Sequence, residues 1–127
     1  MVKVGSRRGI VPGAASGYSA AMSTDYCMVL TTFPATPEVP RVLDRLLDER
    51  LAACVQTVAI QSAYRWKGAI HRDPEVLALI KTTVARYPEV EARLRADHPY
   101  ETPEIIRVPI AGGWADYLQW LAAETKS

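Results

Sequence analysis

The chain has 127 residues, of which 49% are hydrophobic and 23% are charged, and its formal net charge is +1. This length predicts one domain of ordinary size, and the apolar content excludes a wholly disordered chain. Near-neutral charge removes the electrostatic case for a nucleic-acid partner. No stretch reaches the roughly 20 apolar residues that a membrane-spanning helix needs, so no membrane partner is expected.

Residues 1–24 are expected to be a disordered or tag-like leader. They carry Lys3, Arg7 and Arg8 without any acid, are rich in Gly, Ser and Ala, and have no helical or strand periodicity. Their apolar run is interrupted by Pro12, which argues against a secretory signal. One folded domain is therefore predicted over residues 25–127. The two cysteines form no disulfide framework, so a cytoplasmic location is expected.

Hydrophobic periodicity predicts alternating strands and helices in this domain. In chain order they are a strand over residues 26–32, a helix over 36–51, a strand over 52–66, a strand strongest at 76–84, a helix over 86–98, a strand over 104–110 and a helix over 114–124. Thr36 is the predicted N-cap of the first helix, and Lys67-Gly68 predicts a hairpin turn. The order βαββαβ predicts an α+β, ferredoxin-like sandwich with a short C-terminal helix.

Two of the predicted strands are apolar on both faces. In the strand at 76–84, Ala78 and Ile80 point to one face, whereas Leu77 and Leu79 point to the other. A half-solvated sheet should instead alternate apolar with polar residues, and two helices cover only one face. We therefore expect other subunits to cover the second face, which predicts an obligate oligomer.

Two places in the predicted strands carry candidates for ligand binding, one at the hairpin end and one inside the strand at 76–84. Tyr64, Arg65 and Trp66 combine aromatic rings with a cation, and cross-strand aromatic packing is the alternative explanation. Lys81 is a single ammonium group inside an apolar strand. It either reaches solvent or pairs with an anion in a cleft.

A third group lies in the connection with the sequence DHPYETPE, which contains His98, Tyr100, Glu101 and Glu104. If the fold brings Cys54 close, His98 and Cys54 offer the nitrogen and sulfur ligands that copper prefers. A satisfied, partly buried histidine is the alternative. A nucleophilic Cys54–His98 pair is a further alternative, but the segment LAACV predicts a buried thiol of low reactivity.

The chain also carries, in this order, the segments MVLTTFP, LLDERLAACV, AYRWKGAI, EVLALIKTT, HPYETPEI and DYLQW. Together they resemble the CutA family of divalent-cation tolerance proteins, over about residues 26–123. The resemblance implies a ferredoxin-like homotrimer whose edge strands pair between subunits. It also implies a role in tolerance to copper or other divalent cations, by binding in the clefts between subunits and without catalysis or an organic cofactor.

The resemblance also suggests site residues. Some bacterial members are assigned a copper site with a first-strand cysteine and two consecutive histidines; this chain has Thr31 and Asp97-His98 there, so only His98 matches. Cys54 matches the cysteine of the family's AACV motif. We predict His98 and Cys54 as metal-capable residues. The wall of the cleft is predicted to comprise Trp66, Lys81, Tyr100, Glu101, Glu104, Arg65 and Tyr64.

The resemblance leaves one alternative function open. Trimeric PII-type signal proteins have a similar architecture and bind small ligands between subunits. The alternative is a PII-like signalling module that binds a small anionic metabolite at Lys81 and Arg65 and then a partner protein.

Overall fold

The computed structural model describes residues 25–38 and 40–126. The predicted leader, residues 1–24, lies outside the described residues. The elements are β1 (Tyr26–Pro34), α1 (Arg41–Asp48), β2 (Cys54–Trp66), β3 (Ala69–Thr83), α2 (Tyr87–Asp97), β4 (Ile105–Pro109) and α3 (Ala115–Glu124). In this described part, none of the helices is both long and apolar enough to cross a membrane.

The four strands form one sheet in the order β2-β3-β1-β4, and all neighbouring pairs are antiparallel. The inner strands are therefore β1 and β3, while β2 and β4 form the edges. This arrangement confirms the predicted α+β fold with a βαββαβ order and a C-terminal helix.

The start of the first helix differs from the prediction. Thr36 does not cap it, because its hydroxyl donates instead to the carbonyl of Glu38 at 3.1 Å. The helix begins at Arg41, after Pro40, whose extended backbone (φ −57°, ψ 132°) occupies the N-cap position. A proline lacks the N–H group that would be unpaired at a helix start, so Pro40 is better placed here than inside the helix.

The hairpin between β2 and β3 confirms the turn predicted at Lys67-Gly68. Both residues have positive φ, 50° for Lys67 and 81° for Gly68, as a two-residue type I′ turn requires. The pairing runs from Trp66 and Ala69 back to Cys54 and Lys81. β1 pairs with β3 only as far as Glu75, so the hairpin continues beyond the sheet as a two-stranded ribbon.

The core lies between one face of the sheet and the helices α1 and α2. Val29 and Ile80 are fully buried in the sheet, and Leu46 of α1 and Leu94 of α2 are fully buried against them. The opposite face, called the open face below, carries the side chains that alternate with these. Val58 and Ile106 on this face are 48% and 47% exposed. α3 packs against β3 but leaves them uncovered.

Candidate functional site

His98 directly follows α2 as its C-cap residue, and its ring packs against β1. The imidazole stacks on Phe33 with ring centroids 4.5 Å apart and an interplanar angle of 9°. Its Nδ1 accepts the backbone N–H of Tyr100 at 3.1 Å, and Nε2 lies 3.3 Å from the hydroxyl of Thr31. Burial lowers the pKa of His98. These contacts favour a neutral ring that carries its proton on Nε2.

Two tyrosine–carboxylate pairs lie where the ribbon leaves the sheet. Tyr100 donates its hydroxyl to Glu75 at 2.6 Å, and Tyr64 donates to Asp73 at 2.5 Å. Glu75 is only 8% exposed. We call Tyr64, Asp73, Glu75 and Tyr100 the tyrosine–carboxylate cluster. It brings together two predicted site residues, Tyr64 and Tyr100, with two acids that the sequence interpretation did not select.

The carboxylates of the tyrosine–carboxylate cluster contribute to raised pKa values of both tyrosines. Burial first, and then the hydrogen bond and charge of Glu75, raise the pKa of Tyr100 strongly. The hydrogen bond to Asp73 is the largest cause of the raised pKa of Tyr64. Within residues 25–38 and 40–126, neither Asp73 nor Glu75 forms an ion pair. The cluster thus holds two carboxylates, one of them buried, without a compensating cation from this part of the chain.

The three predicted residues at the hairpin, Tyr64, Arg65 and Trp66, do not form one site. Tyr64 stacks on His71, with ring centroids 5.6 Å apart, and faces Asp73. Trp66 is 36% exposed at the turn, where the ammonium group of Lys67 lies 5.6 Å from its ring centroid. Arg65 is also exposed. Only Tyr64 of the three predicted residues therefore joins the tyrosine–carboxylate cluster.

Cys54 and Lys81 meet on the open face, beside α3. They are directly paired across β2 and β3, and the Lys81 ammonium lies 5.7 Å from the ring centroid of Tyr117. Burial and the neighbouring Cys54 thiol raise the pKa of Tyr117. Its hydroxyl is a buried atom with no hydrogen-bond partner among the described residues. We call Cys54, Lys81 and Tyr117 the thiol–lysine cluster.

The structure does not bring His98 and Cys54 together within one subunit. His98 contacts Thr31, whose side chain points to the helix-covered face, whereas Cys54 lies on the open face beside Lys81. Across the described ranges, no group of three or more His, Cys, Asp or Glu residues could hold a metal ion. The other cysteine, Cys27, is buried, and burial raises the pKa of its thiol.

Glu101 and Glu104, the remaining predicted wall residues, are exposed in the connection after α2. Sequence interpretation missed Asp73, Glu75 and Tyr117. The sequence did offer a signal for Glu75. This acid directly precedes the apolar run VLALI, and a carboxylate beside buried residues usually has a partner. For Tyr117 the family-like segment DYLQW was the only available indication.

Comparisons with known proteins agree with this fold. A family model for the CutA1 divalent ion tolerance protein matches residues 27–124. A divalent-cation tolerance protein CutA from Thermus thermophilus is 43% identical over 99 residues, which are 77% of this chain and 96% of that relative. A solved structure of the divalent cation tolerance protein from Thermus thermophilus superposes with a TM-score of 0.75 at 42% identity, over 80% of this chain and 99% of that one.

The same comparisons correct the expected location. The structure of a CutA protein from Archaeoglobus fulgidus, described as periplasmic, matches with a TM-score of 0.76 at 33% identity, over 80% of this chain and 99% of that chain. A relative from Oryza sativa, 35% identical over 109 residues that are 85% of this chain and 62% of its own, is named chloroplastic. The expectation of a strictly cytoplasmic protein was therefore wrong, because absence of a disulfide framework does not distinguish these compartments.

The names of these relatives all refer to divalent ions or to CutA, which does not favour the PII-like alternative. The family model covers nearly the whole described part of the chain, and the fold superposes on solved CutA structures. The chain therefore belongs to the CutA family of divalent ion tolerance proteins.

Proposed function

We propose that this protein acts as a homotrimer that binds copper or another divalent cation in clefts between subunits, and that it works by binding rather than by catalysis, without an organic cofactor. Membership of a divalent ion tolerance family supports the class of ligand. The observation that carries the proposal is the buried carboxylate of Glu75 in the tyrosine–carboxylate cluster.

A buried carboxylate is costly unless hydrogen bonds and a cation compensate it. The Tyr100 hydroxyl supplies a hydrogen bond to Oε2 of Glu75, but the described part of the chain supplies no cation. Asp73 is oriented in the same way by Tyr64. Carboxylate oxygens suit hard divalent cations, and a neighbouring thiol or imidazole adds affinity for copper.

One subunit does not complete such a site. The described residues contain no group of three metal-binding side chains, so further ligands would come from a second subunit. Exposed apolar side chains support assembly, since Val58 and Ile106 on the open face are about half exposed and Ile70 on the ribbon is 62% exposed. A homotrimer would cover these side chains and place the clefts beside the ribbon.

His98 and Cys54 are two separate candidate metal ligands in this proposal. The Nδ1 lone pair of His98 is engaged by the N–H of Tyr100, so metal binding there would require that bond to be exchanged. Cys54 offers a thiol on the open face, which would suit a soft cation at an interface. The proposed wall of the cleft comprises Trp66, Lys81, Tyr100, Glu101, Glu104, Arg65 and Tyr64.

Calorimetric titration with Cu²⁺ tests the metal site. Glu75→Gln is expected to weaken binding at least about tenfold because it removes a ligand charge, and Asp48→Asn, a change at an exposed acid that ends α1, should leave binding unchanged. Equal affinity of Glu75→Gln and the wild type would exclude the tyrosine–carboxylate cluster. Unchanged binding in His98→Ala or Cys54→Ser would remove that residue as a ligand.

Light scattering tests the assembly separately. The wild type is expected to have three times the mass of one chain at micromolar concentration. A monodisperse monomer under these conditions would refute the homotrimer, whatever the result of the titration.

A further inference from the structure

Lys81 is a cation without an anion in the thiol–lysine cluster. Its side chain lies on the open face, half-buried beside Cys54, and the ring of Tyr117 lies 5.7 Å from its ammonium group. In the described ranges it forms no ion pair. A cation–π contact fixes the direction of an ammonium group but leaves its hydrogen-bond donors free.

The surroundings of Lys81 indicate that something covers it in the assembled protein. Leu77 and Leu79 precede it on the same face of β3, and Val58 and Ile106 on that face are about half exposed. An inner strand with apolar residues on both faces is not expected to remain in water. A subunit that packs on this surface would also remove solvent from the ammonium group, which then needs an acceptor.

The chain itself offers carboxylates of matching charge. Glu101 and Glu104 are exposed, and neither has an ion-pair partner within the described residues. Glu104 directly precedes β4, which is an edge strand of the sheet. By strand alternation it shares the side of Ile106, so it continues the open face at that edge. A copy that approached through this edge would carry Glu104 with it.

We propose that Lys81, held in place by the ring of Tyr117, binds a carboxylate of a neighbouring copy of this chain, supplied by Glu104 or Glu101. The inference rests on the proposed homotrimer and names the contact that sets its register. An ammonium–carboxylate pair that is shielded from water fixes orientation, because a copy placed wrongly leaves both charges unpaired.

Zero-length carbodiimide cross-linking tests this contact directly, because it joins an amine to a carboxylate only where the two groups touch. Unlabelled and ¹⁵N-labelled chains are unfolded together, reassembled as a mixture and cross-linked. We expect cross-linked peptide pairs in which Lys81 of a labelled chain is joined to Glu104 or Glu101 of an unlabelled chain, or the reverse. A trimer in which Lys81 gives no mixed peptide would overturn the inference while leaving the homotrimer intact.

Matched variants give a second readout. In urea, Lys81→Gln is expected to raise the protein concentration of half-assembly at least about tenfold. Lys67→Gln, which removes a cation at the hairpin turn, should match the wild type. Lys81→Glu combined with Glu104→Lys should restore assembly lost in Lys81→Glu alone, if Glu104 is the partner. Equal half-assembly concentrations for Lys81→Gln and the wild type would contradict a carboxylate from a second copy. A lower half-assembly concentration of the wild type in added phosphate or acetate would also contradict it, because a free anion would then be the partner of Lys81.

Discussion

Replacing Tyr100 by Phe isolates the hydrogen bond to the buried carboxylate of Glu75. The substitution removes one oxygen and keeps both the ring contact with His98, at 5.0 Å between centroids, and the backbone N–H that His98 accepts. Glu75 is 8% exposed, so water replaces the lost donor poorly. A hydrogen bond to a charged group contributes about 1.5–3 kcal/mol, and we expect the free energy of unfolding to fall by about 2 kcal/mol.

Tyr87→Phe is the matched control, because it removes the same oxygen from a similar bond. The hydroxyl of Tyr87 donates to Glu91 at 2.7 Å, but the Glu91 side chain is 40% exposed. Solvent can replace that donor, so a loss of about 0.5 kcal/mol is expected. Urea unfolding at one fixed protein concentration measures both, since assembly couples stability to concentration. Equal losses for the two variants would refute the role of burial.

Three further variants probe the core, the hairpin turn and the buried imidazole. Leu94→Ala, at a fully buried position between α2 and the sheet, is expected to lower the free energy of unfolding by about 3 kcal/mol, and a loss below about 1 kcal/mol would show that the core closes over the cavity. Gly68→Ala meets no atoms within 4 Å but must adopt φ near 81°, so it should cost about 1 kcal/mol from backbone strain alone. Because burial lowers the pKa of His98 in the folded state, the stability contributed by the neutral ring is present above the unfolded pKa of about 6.5 and is lost as pH falls towards the folded pKa. His98→Asn should therefore show a weaker decline of the urea midpoint between pH 7.5 and pH 5 than the wild type, and an equal decline would contradict this origin.

The sequence predicted the fold because each element carries its own local pattern. The Lys67-Gly68 turn needs only positive φ at adjacent residues, and the structure has both. The start of the first helix was mispredicted because two prolines, Pro37 and Pro40, each suit a helix start. The structure uses Pro40, and the Thr36 hydroxyl donates to the carbonyl of Glu38 instead of capping the helix.

The candidate site was less predictable because its contacts join distant parts of the chain. His98 and Tyr100 were selected from one short segment, but Glu75 depends on the position where β1 stops pairing with β3. Likewise, the contact of Tyr117 with Lys81 requires knowing which side of the sheet α3 covers. The strand register places Cys54 on the open face, and the contact with Thr31 places His98 on the helix-covered side. Neither position follows from sequence spacing.

The inner position of β1 has a consequence for how the chain folds. Cys27 pairs with Thr82 on one side and with Pro109 on the other, so both partner strands of β1 come much later in the chain. The β2–β3 hairpin closes through a two-residue turn and can form within microseconds, whereas inserting β1 requires closure of long loops, which slows folding. During synthesis, β1 therefore stays unpaired until β3 has left the ribosome, and it gains its second partner only with β4. In this interval aggregation is the main risk.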